Sequence, residues 1–233
     1  MTSSTILRIS LLGSLLLVLS VFLLYRGTDW PLGTQAVEAF GALVLLLAIN
    51  SALFFCRGSM QLQGESSSQK SIALGLSAGL LWTTEISMNN ILTPGLPLRD
   101  ILDDLFWIAI ALILLGASIT WTYQTHNIRT GIRTGLWSGL SSGAVACLTG
   151  LIFVVIGMPL LLHDPLNLAE WSARGATSGT PNMAVYVAYQ TLAGALGHLV
   201  VLGAIMGGVL GLLGGALGKV GCVLVRRMRT KNT

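Results

Sequence analysis

Charge is scarce in this sequence. Lys and Arg number 13 and Asp and Glu 9 in 233 residues, 9% of the chain, against about 25% in an average soluble domain. Too few charges to clothe a water-facing surface exclude an ordinary soluble globule, and ample apolar surface excludes intrinsic disorder. Cysteine is equally sparse: Cys56, Cys147 and Cys222 are odd in number and far apart, so neither a disulfide framework nor zinc-ligand spacing exists. P-loop, dinucleotide turn, HExxH, CxxC and paired-histidine patterns are missing, and no nucleotide chemistry, metal or cofactor is expected.

What the chain has is apolar length. Hydrophobic residues make up 53% and the mean hydropathy is +0.78, the composition of an all-α integral membrane protein forming one polytopic domain. A spanning helix needs about 20 apolar residues. Six segments qualify, at about residues 6–25, 36–56, 71–92, 101–123, 134–158 and 185–225, with a polar loop at 57–70, a long connection at 159–184 and a basic tail at 226–233. The apolar run from 181 to 225 is long enough for one over-long helix, an interfacial helix plus a span, or two spans.

Charge asymmetry selects among these. With six spans, Arg8, Arg57, Lys70, Arg129, Arg133, Lys219, Arg226, Arg227, Arg229 and Lys231 share one side, leaving Arg26, Arg99 and Arg174 on the other. Ten basic residues against three predict cytoplasmic N- and C-termini in a plasma or bacterial inner membrane. A seventh span would export the basic tail. All six prolines fall in or beside the outer connections, where a missing backbone donor costs least. The first segment reads as a retained signal anchor, because Tyr25, Arg26, Gly27 and Thr28 make no small-x-small cleavage site. The net charge of +4 thus serves topology and anionic lipid rather than nucleic acid.

The spans are of two kinds. The first, second and fourth are rich in Leu, Ile and Val and are expected to face lipid. The others carry small residues every fourth position: Ser71, Gly75, Gly79, Thr83 and Ser87 in the third, Gly131, Gly135, Gly139, Gly143 and Cys147 in the fifth, Gly203, Gly207, Gly211 and Gly215 in the sixth. Spacing of four lines a groove along one helix face, and in lipid such GxxxG grooves let backbones approach closely. Helices three, five and six are therefore expected to pack at the core. The grooves close either within one chain or, as a glycine zipper, in a homo-oligomer or against a membrane-protein partner.

Ionisable groups within spans are functional candidates because they are expensive to insert. Glu85 follows Lys70 by 15 residues, which places it roughly 8 Å below the outer boundary. His198 lies about 10 Å deep from the same side, so the two depths match. Asn89 shares the Glu85 face at i+4, and Asn90 adjoins it. Glu85, Asn89, Asn90 and His198 are the candidate solute or ion site. The acidic outer residues, Asp103 and Asp104 among them, read as helix-dipole partners.

The stretch Ser142, Gly143, Ala144, Val145, with His198 beside Gly207 and Gly208, is similar to the nucleophile and base regions of rhomboid intramembrane proteases, which pair a Ser with a His in six spans. That family's GxSG would need Gly where Leu140 stands, and Ser142 falls near mid-membrane on a helix running outward. Proteolysis is not the expected activity, and no enzyme is inferred. Two functional readings follow: a small-solute or cation-coupled transport component, or a non-catalytic subunit docking partner helices through its glycine grooves.

Overall fold

The computed structural model describes residues 2–24, 44 and 65–231. The second expected span, 36–56, lies outside them apart from residue 44. All regular structure among the described residues is helical. The long elements are α1 (Ser3–Leu24), α2 (Glu65–Ile91), α3 (Leu96–Thr125) and α4 (Ile128–Val155), followed by the short α5 (Met158–His163) and α6 (Pro165–Arg174). A last continuous run comprises α7 (Met183–Gly197), a π-helical stretch (His198–Met206) and α8 (Gly207–Lys231).

Among the described residues four helical runs are long and apolar enough to cross a membrane: α1, α3, α4 and the run Met183–Met228. Six spans were expected. The third, α2, is long enough but is diluted by Trp82–Thr83–Thr84–Glu85 and by Ser and Asn residues; its apolar average falls short. The final run resolves the ambiguity over 181–225 in favour of one long helix. Its 46 residues extend about 69 Å at 1.5 Å per residue, over twice a hydrocarbon core of about 30 Å. Several boundaries also differ from expectation. Helix α2 begins at Glu65, inside the expected polar loop, and α4 begins at Ile128, so Arg129 and Arg133 stand on helix. The connection 159–184 folds into α5, α6 and a 3-10 turn.

Proline and polar caps explain the helix starts. Pro97, Pro159 and Pro165 occupy first-turn positions of α3, α5 and α6, where no backbone donor is needed. Asn127, Asp164 and Asn182 cap α4, α6 and α7 by accepting from Arg129, Leu166 and Val185 N–H groups. Helices α3 and α4 reverse through two residues, and His126 takes the left-handed conformation at φ 56° to do so.

Helix α4 touches every other long described helix. Its residues Gly131, Gly135, Gly139 and Gly143 face the final run. A Cβ added at Gly139 would lie 2.7 Å from Gly207 Cα, and one at Gly143 2.9 Å from Gly203 Cα. Gly131 similarly faces Gly215, and Gly135 faces Gly211. Toward α2 the contact is polar: Ser141 Oγ donates to Ile72 O at 3.2 Å, and the Thr83 and Thr149 hydroxyls meet at 2.9 Å. Gly75 backs onto Ser138 and Ser141, and Gly79 onto Val145. Helix α1 is less lipid-facing than its composition suggests. Leu7, Leu11, Val18 and Val21 are fully buried, while Ile9, Leu16 and Leu23 on its other face are exposed.

A leucine at Gly139 would meet main chain, which cannot yield as a flexible side chain can. Overpacking costs about 1–3 kcal/mol where neighbours can shift, so Gly139→Leu is expected to lower the thermal midpoint in detergent by several degrees. Gly208→Leu, whose added Cβ meets nothing within 4 Å, should leave it unchanged. Equal midpoints for the two variants would contradict the backbone contact.

Candidate functional site

Helices α2 and α3 are antiparallel, joined through residues 92–95 with Thr93 in the left-handed region at φ 41°. A tight hairpin brings residues shortly before the turn opposite residues shortly after it. Glu85 and Asn89 share one face of α2, and Asp103 stands in the second turn of α3. The Asn89 amide joins all three: Nδ2 donates to Glu85 Oε1 at 3.0 Å and to Asp103 Oδ1 at 2.8 Å. Both amide N–H groups point at carboxyls, which fixes the amide's orientation. Its oxygen faces away.

Glu85 is 7% and Asn89 5% exposed, yet Glu85 Oε2 and Asn89 Oδ1 accept no hydrogen bond from the described residues. A carboxylate and an amide carbonyl are acceptors only. What these two buried oxygens lack is a donor or a cation, since an unsatisfied buried acceptor costs about 1–3 kcal/mol. The charged neighbours acting on Glu85 are Asp103 and Arg99. Arg99, one turn before Asp103, donates from Nη1 to Asp164 Oδ2 at 3.1 Å and Oδ1 at 3.4 Å. The side chains of this pair are 15% and 3% exposed. Asp164 in turn caps α6, so the cluster is tied to the connection that covers this end of the bundle. Three carboxyls stand against one guanidinium.

His198 does not join Glu85. Its ring packs edge-to-face on Trp82, centroids 4.8 Å apart, and its Nδ1 is 2.9 Å from Gly194 O. Trp82 also meets Trp107 edge-on at 5.2 Å. Lying three residues before Glu85 and 4% exposed, this indole is what the imidazole contacts from the final run. The expected carboxylate–imidazole pair is therefore replaced by two adjacent layers, aromatic and acidic. Asn90 also stands apart, donating to Ile86 O at 2.7 Å in its own helix. Ser142 Oγ is buried without a hydrogen bond among the described residues, and no bond joins it to His198.

Sequence reasoning missed the roles of Asp103, Arg99 and Asp164. The short α2–α3 connection was the available signal, because it requires the end of one helix to face the start of the next. No three His, Cys, Asp or Glu side chains among the described residues group as a metal site. The oxygens of Glu85, Asn89 and Asp103 are hard donors, of the kind that hard cations rather than transition metals take.

Comparison of the chain with protein-family models, curated proteins and solved structures finds no match. The class the fold defines is an all-helical protein with several helices long and apolar enough to cross a membrane.

Removing one partner of a buried ion pair costs about 3–5 kcal/mol, and the partial exposure of Arg99 favours the lower end. Arg99→Gln should thus destabilise the protein by about 3 kcal/mol in denaturant titrations of the micelle-bound protein. Arg99→Gln with Asp164→Asn should cost at least about 1 kcal/mol less than the sum of the single changes. Additive effects would show that the pair contributes no coupling.

Proposed function

We propose that this protein is a cation-coupled transport component of the plasma or bacterial inner membrane. The observation that carries the reading is the pair of buried, donorless oxygens, Glu85 Oε2 and Asn89 Oδ1, beside the Asp103 carboxyl. An intramembrane acid kept at such cost is a functional group by default. A monovalent cation or a proton supplies what these oxygens lack and offsets the excess of carboxyls over Arg99. The Trp82, Trp107 and His198 layer next to the acids forms an aromatic wall for a small polar solute.

The positive-inside bias orients the acidic cluster outward and both termini toward the cytoplasm. In this reading six passes enclose the site, with α2, α4 and the final run as inner helices. The scaffold alternative needs open glycine grooves, and the α4 glycines face glycines of the same chain. That geometry favours the transport reading.

In proteoliposomes, Glu85→Gln is expected to abolish flux driven by a proton or Na+ gradient, with expression and insertion unchanged. Asp103→Asn should reduce flux at least tenfold, an effect of about 1.4 kcal/mol or more, and Asn90→Ala should stay close to wild type. Gradient-driven dye quenching and radiotracer Na+ uptake measure this. Wild-type flux in Glu85→Gln would remove the proposal.

A further inference from the structure

At the end of the bundle opposite the acids, α3 and α8 border a cavity of about 550 Å3, within the range of roughly 300–1,000 Å3 typical of small-molecule sites. Tyr123, Gln124 and His126 line it from α3 and its cap, and Lys219, Val223 and Arg226 from α8. No acidic side chain is among the described residues lining it. It combines two permanent cations, neutral donors and an apolar flank.

Part of this polarity serves the fold. Lys219 Nζ donates to His126 O at 2.8 Å, closing the carboxyl end of α3, and His126 Nδ1 lies 3.1 Å from Cys222 Sγ. Lysine has three N–H donors. The two further Lys219 donors, the Gln124 amide N–H groups and the Tyr123 hydroxyl have no acceptor among the described residues. What they share is a demand for an anion's oxygens.

Depth identifies the anion. Helix α3 has 30 residues, about 45 Å of length, matching a bilayer of about 40–45 Å with its headgroups rather than the hydrocarbon alone. Tyr123 and His126 therefore sit at headgroup level, where lipid phosphates lie. Basic pockets between membrane helices on the positively charged side suit such headgroups, and Val223 with the Tyr123 ring lies where an acyl chain would run. We propose that this cavity binds a phosphate ester, and specifically the headgroup phosphate of an anionic phospholipid, held by Lys219 and Arg226 with Gln124 and Tyr123 as neutral donors. Arg129 and Arg133, on the first turns of α4, attract the anionic leaflet generally and are not part of the site.

Full-length protein in nanodiscs of phosphatidylglycerol, or of phosphatidylcholine, tests this by native mass spectrometry of retained lipid and by thermal midpoint. Wild type should retain phosphatidylglycerol and melt higher in it. Lys219→Gln/Arg226→Gln should lose at least tenfold in phosphatidylglycerol retention. Gln124→Leu/Arg226→Gln, which keeps the Lys219 cap, should lose retention while its midpoint in phosphatidylcholine stays at the wild-type value. Arg129→Gln/Arg227→Gln removes two charges from the same end outside the cavity and should retain phosphatidylglycerol. Loss in that control equal to the cavity variants, or undiminished retention in both cavity variants, would overturn the site. Should millimolar inorganic phosphate in phosphatidylcholine discs raise the midpoint as much as phosphatidylglycerol does, the anion is a soluble one and the lipid assignment falls.

Discussion

Helix α4 meets its neighbours at backbone distance because a whole face of it lacks side chains of any size. In water, burial of apolar surface would hold helices together almost irrespective of which apolar residues met. In lipid the surroundings are as apolar as the interface, so association depends on dispersion contact and interhelical hydrogen bonds. Gly139 against Gly207 and Gly143 against Gly203 supply the first. Ser141 to Ile72 O and Thr83 to Thr149 supply the second toward α2. The other features follow from these two seams. With α2 and the final run both clamped to α4, Trp82 is brought against His198, and the π-helical stretch lies where the His198 carbonyl reaches Gly143.

The acidic cluster departs from this economy of polar groups. Several buried hydroxyls return to their own helix, as Ser14 does to Ser10 O and Ser118 to Leu114 O. Glu85 and Asn89 instead turn toward α3 and leave two acceptor oxygens without donors. An apolar pair would pack there without that penalty. Arg99 is close enough to act on Glu85 but is engaged with Asp164, so it neutralises the covering connection rather than the acid. Charge is thereby segregated: the acidic cluster with its restrained guanidinium at one end, and lysine and arginine around a cavity of about 550 Å3 at the other.

Much of this was legible in the sequence because membrane helices obey few rules. Apolar length marked the four long apolar runs among the described residues, though not the six spans expected, and four-residue spacing marked the glycine faces. Prolines marked the helix starts: Pro97, Pro159 and Pro165 each open one. The polarity of 82–90 singled out Glu85 and Asn89. The limits were equally physical. Depth along two helices said that Glu85 and His198 lie at similar levels but not how each helix is rotated, and a rotation placing Trp82 against the imidazole leaves the carboxyl facing α3. Asp103 read as a helix-dipole residue because its partner across the hairpin depends on the turn, which Thr93 closes in an unusual conformation that a β-branched residue rarely adopts. The final run kept three readings open because hydropathy measures length and not continuity.

The central claim is that Glu85 and its neighbours hold an exchangeable cation, proton included. Infrared difference spectra of the reconstituted protein, recorded while Na+ and pH are varied, observe the carboxyl directly. A protonated-carboxyl band that titrates, shifts on Na+ addition at fixed pH and vanishes in Glu85→Gln is the result expected. A carboxyl region unchanged by either ion, or identical in Glu85→Gln, would contradict it.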